Sequence, residues 1–114
     1  MKINLEEALK QMWLYCCEIP NFIGGLNYEI FETTTVVQYP AVFCLIQIGE
    51  LANYIQKNFE TDKLNIPFEP MYGLRCHLVH EFCNVELPLV WDTLQNDIAP
   101  LEEQLRQILG ETSL

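Results

Sequence analysis

The chain has 114 residues, and 6 Lys plus Arg against 16 Asp plus Glu give a formal charge of −10. Half the residues are hydrophobic and 19% are charged, which excludes a disordered acidic chain and fits one domain, 1–114, with a modest core. The charge speaks against a broad basic groove for nucleic acid, though not against a small local site.

The start, Met1 to Glu7, lacks the apolar stretch of a signal peptide. Leu5, Ala8, Met12, Tyr15, Ile19, Phe22 and Leu26 then recur at alternating spacings of 3 and 4, which predicts a helix with one apolar seam. Asn4 can cap it, with Glu6 and Glu7 in the first turn, where the helix dipole favours carboxylates. Pro20 predicts a kink or an early end, and Gly24-Gly25 a stop. Asn27 reads as the cap of a short helical turn holding Tyr28, Ile30 and Phe31.

Thr33 to Val37 is the only strand-like stretch, and a strand without a partner carries no sheet. The most apolar run, 36–48, is interrupted by Gln38, Pro40 and Gln47 and is too short to span a membrane. From Pro40 to about Phe59 the pattern is helical, with Ala41, Cys44, Ile48, Leu51 and Ile55 facing inward. Thr61 to Pro70 reads as a loop. Pro70 suits the first position of a third helix, striped by Met71, Leu74, Leu78 and Phe82. A fourth helix begins near Pro88, keeps a seam from Leu87 to Ile108, and closes at Gly110. Pro100 lies off that seam, so the expectation is a kink. The fold class is therefore all-α: an up-and-down bundle of four main helices plus a short turn of helix, kinked at prolines.

The five cysteines form no CxxC pair, which favours free thiols in a reducing, cytoplasmic setting. One of the two arginines and both histidines fall within Arg75-Cys76-His77-Leu78-Val79-His80. Two chemistries deserve weighing there. Cys76, His80 and Cys83 share one helix face, but residues seven apart are separated by about 10 Å along the axis. One helix thus supplies at most two ligands to a zinc ion, and the rest would come from Cys16, Cys17 or Cys44. The other chemistry is acid–base work on a phosphodiester. An imidazole exchanges a proton near neutral pH, and a guanidinium clamps phosphate. Together they suffice for attack of a ribose 2′-hydroxyl on its own phosphate. Arg75 and His80 lie about 140° apart on an ideal helix, so a cleft against another element or subunit has to bring them together. The bland alternative is two partly buried histidines and a surface ion-pair arginine.

The stretch Gly73-Leu74-Arg75-Cys76-His77-Leu78-Val79-His80-Glu81-Phe82, followed by Val90-Trp91 and Ile98-Ala99-Pro100-Leu101, resembles the HepT-like branch of the HEPN superfamily. That family's pattern is Gly-x-Arg-Asn-x-x-x-His-x-Tyr, then a Val-Trp pair and a Leu-Pro-x-Leu helix. Ile46-Gln47-Ile48-Gly49-Glu50-Leu51-Ala52 resembles its Ile-Gly-Glu-Ala segment. The resemblance covers residues 5–109 and is most specific over 73–91 and 46–52. It implies a homodimeric helical bundle, and a metal-independent endoribonuclease toxin paired with a minimal nucleotidyltransferase antitoxin. RNA is the implied substrate; no DNA, membrane, metal or cofactor is expected. Arg75 would bind and stabilise the phosphate and His80 would transfer a proton, in a cleft at the dimer interface. His77 is a supporting candidate, and Glu50, beside Gly49 on the second long helix, could either pair with Arg75 and hold it or simply face solvent.

Two positions depart from the pattern. Cys76 stands where the family has Asn, and a thiol poorly replaces an amide. Phe82 replaces the family's Tyr, which can accept AMP from the partner enzyme, so that modification cannot occur there. Tyr72 is nearby but precedes the Arg, on a different part of the helix. These departures and the charge of −10 support an alternative: a weak or inactive HEPN subunit that binds a minimal nucleotidyltransferase. Trp13 and Trp91 could stack on bases, but Trp91 lies on an apolar seam, where packing is expected.

Overall fold

The computed structural model describes residues 2–81 and 84–110. It has six helices: α1 (Leu5–Ile23), α2 (Tyr28–Phe31), α3 (Thr35–Asn58), α4 (Phe68–His80), α5 (Leu87–Asn96) and α6 (Ile98–Leu109). No strand occurs among the described residues.

α1 starts where Asn4 caps it, its side-chain oxygen accepting from the Glu7 N–H at 2.8 Å. Pro20 does not end the helix early, which continues to Ile23 with the Gly24 N–H donating to the Pro20 carbonyl at 2.8 Å. Asn27 caps α2 in the same manner, accepting from the Ile30 N–H at 2.9 Å.

α3 starts at Thr35, five residues before the expected Pro40, and absorbs the strand-like stretch. The missing Pro40 N–H costs one bond, that to the Val36 carbonyl, and the helix tolerates it. Gln38 anchors this first turn, its side-chain N–H donating to the Phe31 carbonyl at 2.6 Å within the interior. The run 36–48 thus belongs to a helix of 24 residues, long and apolar enough by length and composition to cross a membrane. One face of it is core: Ala41, Cys44, Ile48, Leu51 and Ile55 are buried. α3 packs against both α1 and α4, and α1 also packs against α6. This sandwiching makes α3 the central helix of the bundle.

The expected single helix from Pro88 to Gly110 is instead two, meeting at Asp97. Pro100 is the physical cause. Within a continuous helix its ring would crowd the Asn96 carbonyl and its absent N–H would leave that carbonyl unbonded. As the third residue of a new helix, it needs no intrahelical donor. The break tilts α6 onto α1, where the Trp13 indole N–H donates to the Glu102 carboxylate at 2.7 Å and Arg106 Nε to the same oxygen at 3.1 Å. Gly110, at φ 70°, closes α6 in the left-handed region.

Candidate functional site

α4 carries the Arg75–His80 segment, and its place is set by how closely it approaches α3. Gly49 makes that approach possible. A Cβ there would lie 2.7 Å from the Met71 carbonyl oxygen and would collide with the Arg75 side chain. Any larger residue at 49 would therefore push α4 outward. The next residue on α3, Glu50, forms an ion pair with Arg75 through Nε. Nε is buried and makes no aligned hydrogen bond, so the contact is electrostatic in character.

Two more groups surround the guanidinium. Nη1 contacts the Cys76 Sγ at 3.8 Å. The Tyr72 ring, one turn earlier on α4, lies with its centroid 5.8 Å from Cζ. Arg75 is raised further above its already high range, first by the Cys76 contact and then by Glu50, against the desolvation that opposes its charge. It is therefore a permanent cation. The Tyr72 phenol is also raised, chiefly by hydrogen bonding and charge from Cys76. With Nε turned to Glu50 and Nη1 beside the Cys76 thiol, the Arg75 side chain keeps 24% of its surface exposed, and its guanidinium carries the two-pronged fork of donors. A carboxylate or phosphate oxygen pair fits that fork.

His80 ends α4 and is exposed. It sits with His77 in the last turn, where the helix dipole favours positive charge. His77 is half-buried, and its Nε2 is buried without a hydrogen-bond partner. The structure thus gathers Glu50, Arg75 and Cys76 into one cluster and places His80 about one and a half turns away, facing solvent. Phe82 and Cys83 lie outside the described residues. Tyr72 is the member that the sequence reading set aside; its spacing of three before Arg75 was the available signal, since residues i and i+3 meet on a helix.

Among the described residues no three His, Cys, Asp or Glu stand close enough to hold a metal ion. Cys16, Cys17, Cys44 and Cys76 are free thiols. Burial pushes the Cys44 thiol up to about 11, and raises Cys16 and Cys17 as well. These thiols are protonated packing groups. Trp13 is buried, and Trp91 is half-buried and packed on Phe31 at 4.9 Å between ring centroids, as expected for a residue on the apolar seam.

Next to His80, Val79 belongs to an exposed apolar face. Val36, Tyr39 and Phe43 on α3 are 75%, 70% and 53% exposed. Tyr39, Phe43 and Val79, with Val42, Val85 and Leu87, line a groove of about 630 Å³.

Comparison with known proteins places the chain in a family. The family model described as "Ribonuclease HepT-like" matches residues 12–108. The chain is 28% identical over 110 residues to "Putative RNase MJ0125" of Methanocaldococcus jannaschii, covering 96% of this chain and 95% of the relative. It is 30% identical over 87 residues to "Putative RNase TTE0752" of Caldanaerobacter subterraneus, covering 76% and 78%. It is 26% identical over 90 residues to "Probable ribonuclease HepT" of Thermococcus cleftensis, covering 79% and 82%. No solved structure matches the chain. This all-helical chain, matched by the family model over residues 12–108, belongs to the HepT-like ribonuclease family.

Proposed function

We propose that the chain is the ribonuclease toxin of a toxin–antitoxin pair, acting as a metal-independent endoribonuclease in the cytoplasm. The observation that supports this reading is the seating of Arg75: Glu50 takes Nε, and the partly exposed remainder of the guanidinium would take a phosphate. Arg75 would hold the scissile phosphate and neutralise the charge that grows on it as the 2′-hydroxyl attacks. His80 would move the proton, either from the attacking hydroxyl or to the departing 5′-oxygen. The products are a 2′,3′-cyclic phosphate and a 5′-hydroxyl.

One protomer has its Arg75 and His80 on different sides of α4. A second copy would resolve this. The exposed apolar residues Val36, Tyr39, Phe43 and Val79 include the residue that precedes His80 on α4, and a two-fold contact there would bring both copies' α4 segments toward a shared cleft. It would also cover the exposed side chains of Val36, Tyr39 and Phe43. The antitoxin would be a minimal nucleotidyltransferase, as the resemblance implies, and the acidic chain suits a partner with a basic surface.

The test is cleavage of RNA by purified protein in EDTA. Cleavage that persists with the chelator and disappears in His80→Ala is the expected result; intact RNA across several substrates refutes it. The second reading, a binding subunit without activity, is favoured by Cys76, whose only polar contact with Arg75 is a weak one at 3.8 Å. It predicts that Arg75→Ala and His80→Ala leave both cell growth and complex formation unchanged.

A further inference from the structure

Arg75 can serve a phosphate only if its guanidinium is held still. A long side chain has several rotamers, and each one lost beforehand need not be lost in the transition state. Glu50 restrains Nε, but an ion pair without an aligned hydrogen bond restrains distance better than orientation. The Cys76 thiol at 3.8 Å is a weak acceptor and adds little. The plane of the guanidinium therefore needs another restraint, and one side chain on α4 supplies it. The Tyr72 ring, half-buried one turn before Arg75, lies 5.8 Å from Cζ. A ring at that distance attracts the cation and supports the guanidinium from one side.

We propose that Tyr72 is a positioning residue for the ribonuclease reaction: its ring holds the Arg75 guanidinium so that the edge left free by Glu50 points at the scissile phosphate. This rests on the ribonuclease reading above. It assigns Tyr72 a role through the aromatic ring, with the hydroxyl secondary. It also gives a reason why a chain with a thiol at 76 can still orient its arginine: the restraint comes from i−3 instead of i+1. Tyr72 touches neither the proton in transit nor the leaving oxygen, so its loss should lower turnover through Arg75 alone.

The experiment compares wild type, Tyr72→Phe, Tyr72→Leu, Arg75→Lys and the double variant Tyr72→Leu/Arg75→Lys on one short single-stranded RNA, with circular dichroism to check the fold of each. Tyr72→Phe keeps the ring and should retain kcat within about threefold. Tyr72→Leu should lower kcat about tenfold with a smaller change in KM, because a mobile guanidinium loses more in the transition state than in the ground state. Adding Tyr72→Leu to Arg75→Lys should cost little more, since the residue to be positioned has changed shape. Wild-type cleavage with Tyr72→Leu equal to wild type, or with Phe and Leu equally impaired, overturns the role of the ring. So does a fully additive double variant. Absence of cleavage by wild type overturns the ribonuclease reading itself and this proposal with it.

Discussion

Replacing Gly49 by alanine sets two effects of opposite sign against each other. In an isolated helix the change gains about 0.8–1 kcal/mol, because Gly is the poorer helix former. In this bundle the added methyl meets the Met71 carbonyl oxygen at 2.7 Å and the Arg75 side chain. Neither is the free end of a flexible chain, so α4 has to move. Overpacking of this kind costs about 1–3 kcal/mol. The contact sits in the interface between α3 and α4, the most extensive helix pair in the molecule, so packing should win. A net loss of up to about 2 kcal/mol corresponds to a fall of up to roughly 10 °C in Tm for a domain of this size. Cleavage should fall further than stability does, at least tenfold, because the displaced atom belongs to Arg75. Thermal melting by circular dichroism and RNA cleavage at a temperature where the variant is folded measure the two effects separately. A Tm equal to or above wild type, with normal cleavage, would refute the close approach of α4 to α3 and the seating of Arg75 that depends on it.

Other outcomes follow from the same structure. Trp13→Phe removes the indole donor to Glu102 and leaves that carboxylate to Arg106 alone, so it should cost about 2–3 kcal/mol in urea titration; an unchanged midpoint would show the bond to be dispensable. The Cys44 thiol stays protonated in the fold up to about 11, against 9.0 for the free group, so its stabilising contribution is complete below pH 9 and is lost as pH rises through 11. Urea midpoints taken at pH 8 and 10.5 should drop in wild type and drop less in Cys44→Ala; parallel slopes would contradict this. Phe43→Glu places a charge in the exposed face on α3 and should convert the proposed dimer to a monomer in size-exclusion chromatography, with loss of cleavage; an active monomer would remove the shared cleft.

Much of the bundle was legible in the amino-acid order because helices announce themselves locally. The seam of α3 names buried residues by spacing, that of α1 names Ala8, Met12 and Ile19 but misses Leu9, Trp13, Cys16 and Ile23, and Asn4, Asn27 and Gly110 mark ends by backbone chemistry that needs no neighbour. Elements that depended on competition were harder to read. Pro40 and Pro20 sit inside helices because tertiary packing outweighs one missing bond, whereas Pro100 breaks one because a new helix can begin there. For the candidate site the division is sharper. The order of residues put Arg75, Cys76, His77 and His80 on one helix, and marked Gly49-Glu50 as a pair on another. Only the packing of α3 on α4 decided that Gly49 admits the Arg75 stem, that Glu50 takes Nε and that Tyr72 backs the guanidinium. Periodicity reports which face a residue occupies; it carries no information on which two faces meet, or how closely, and the orientation of a long cation is settled at that distance.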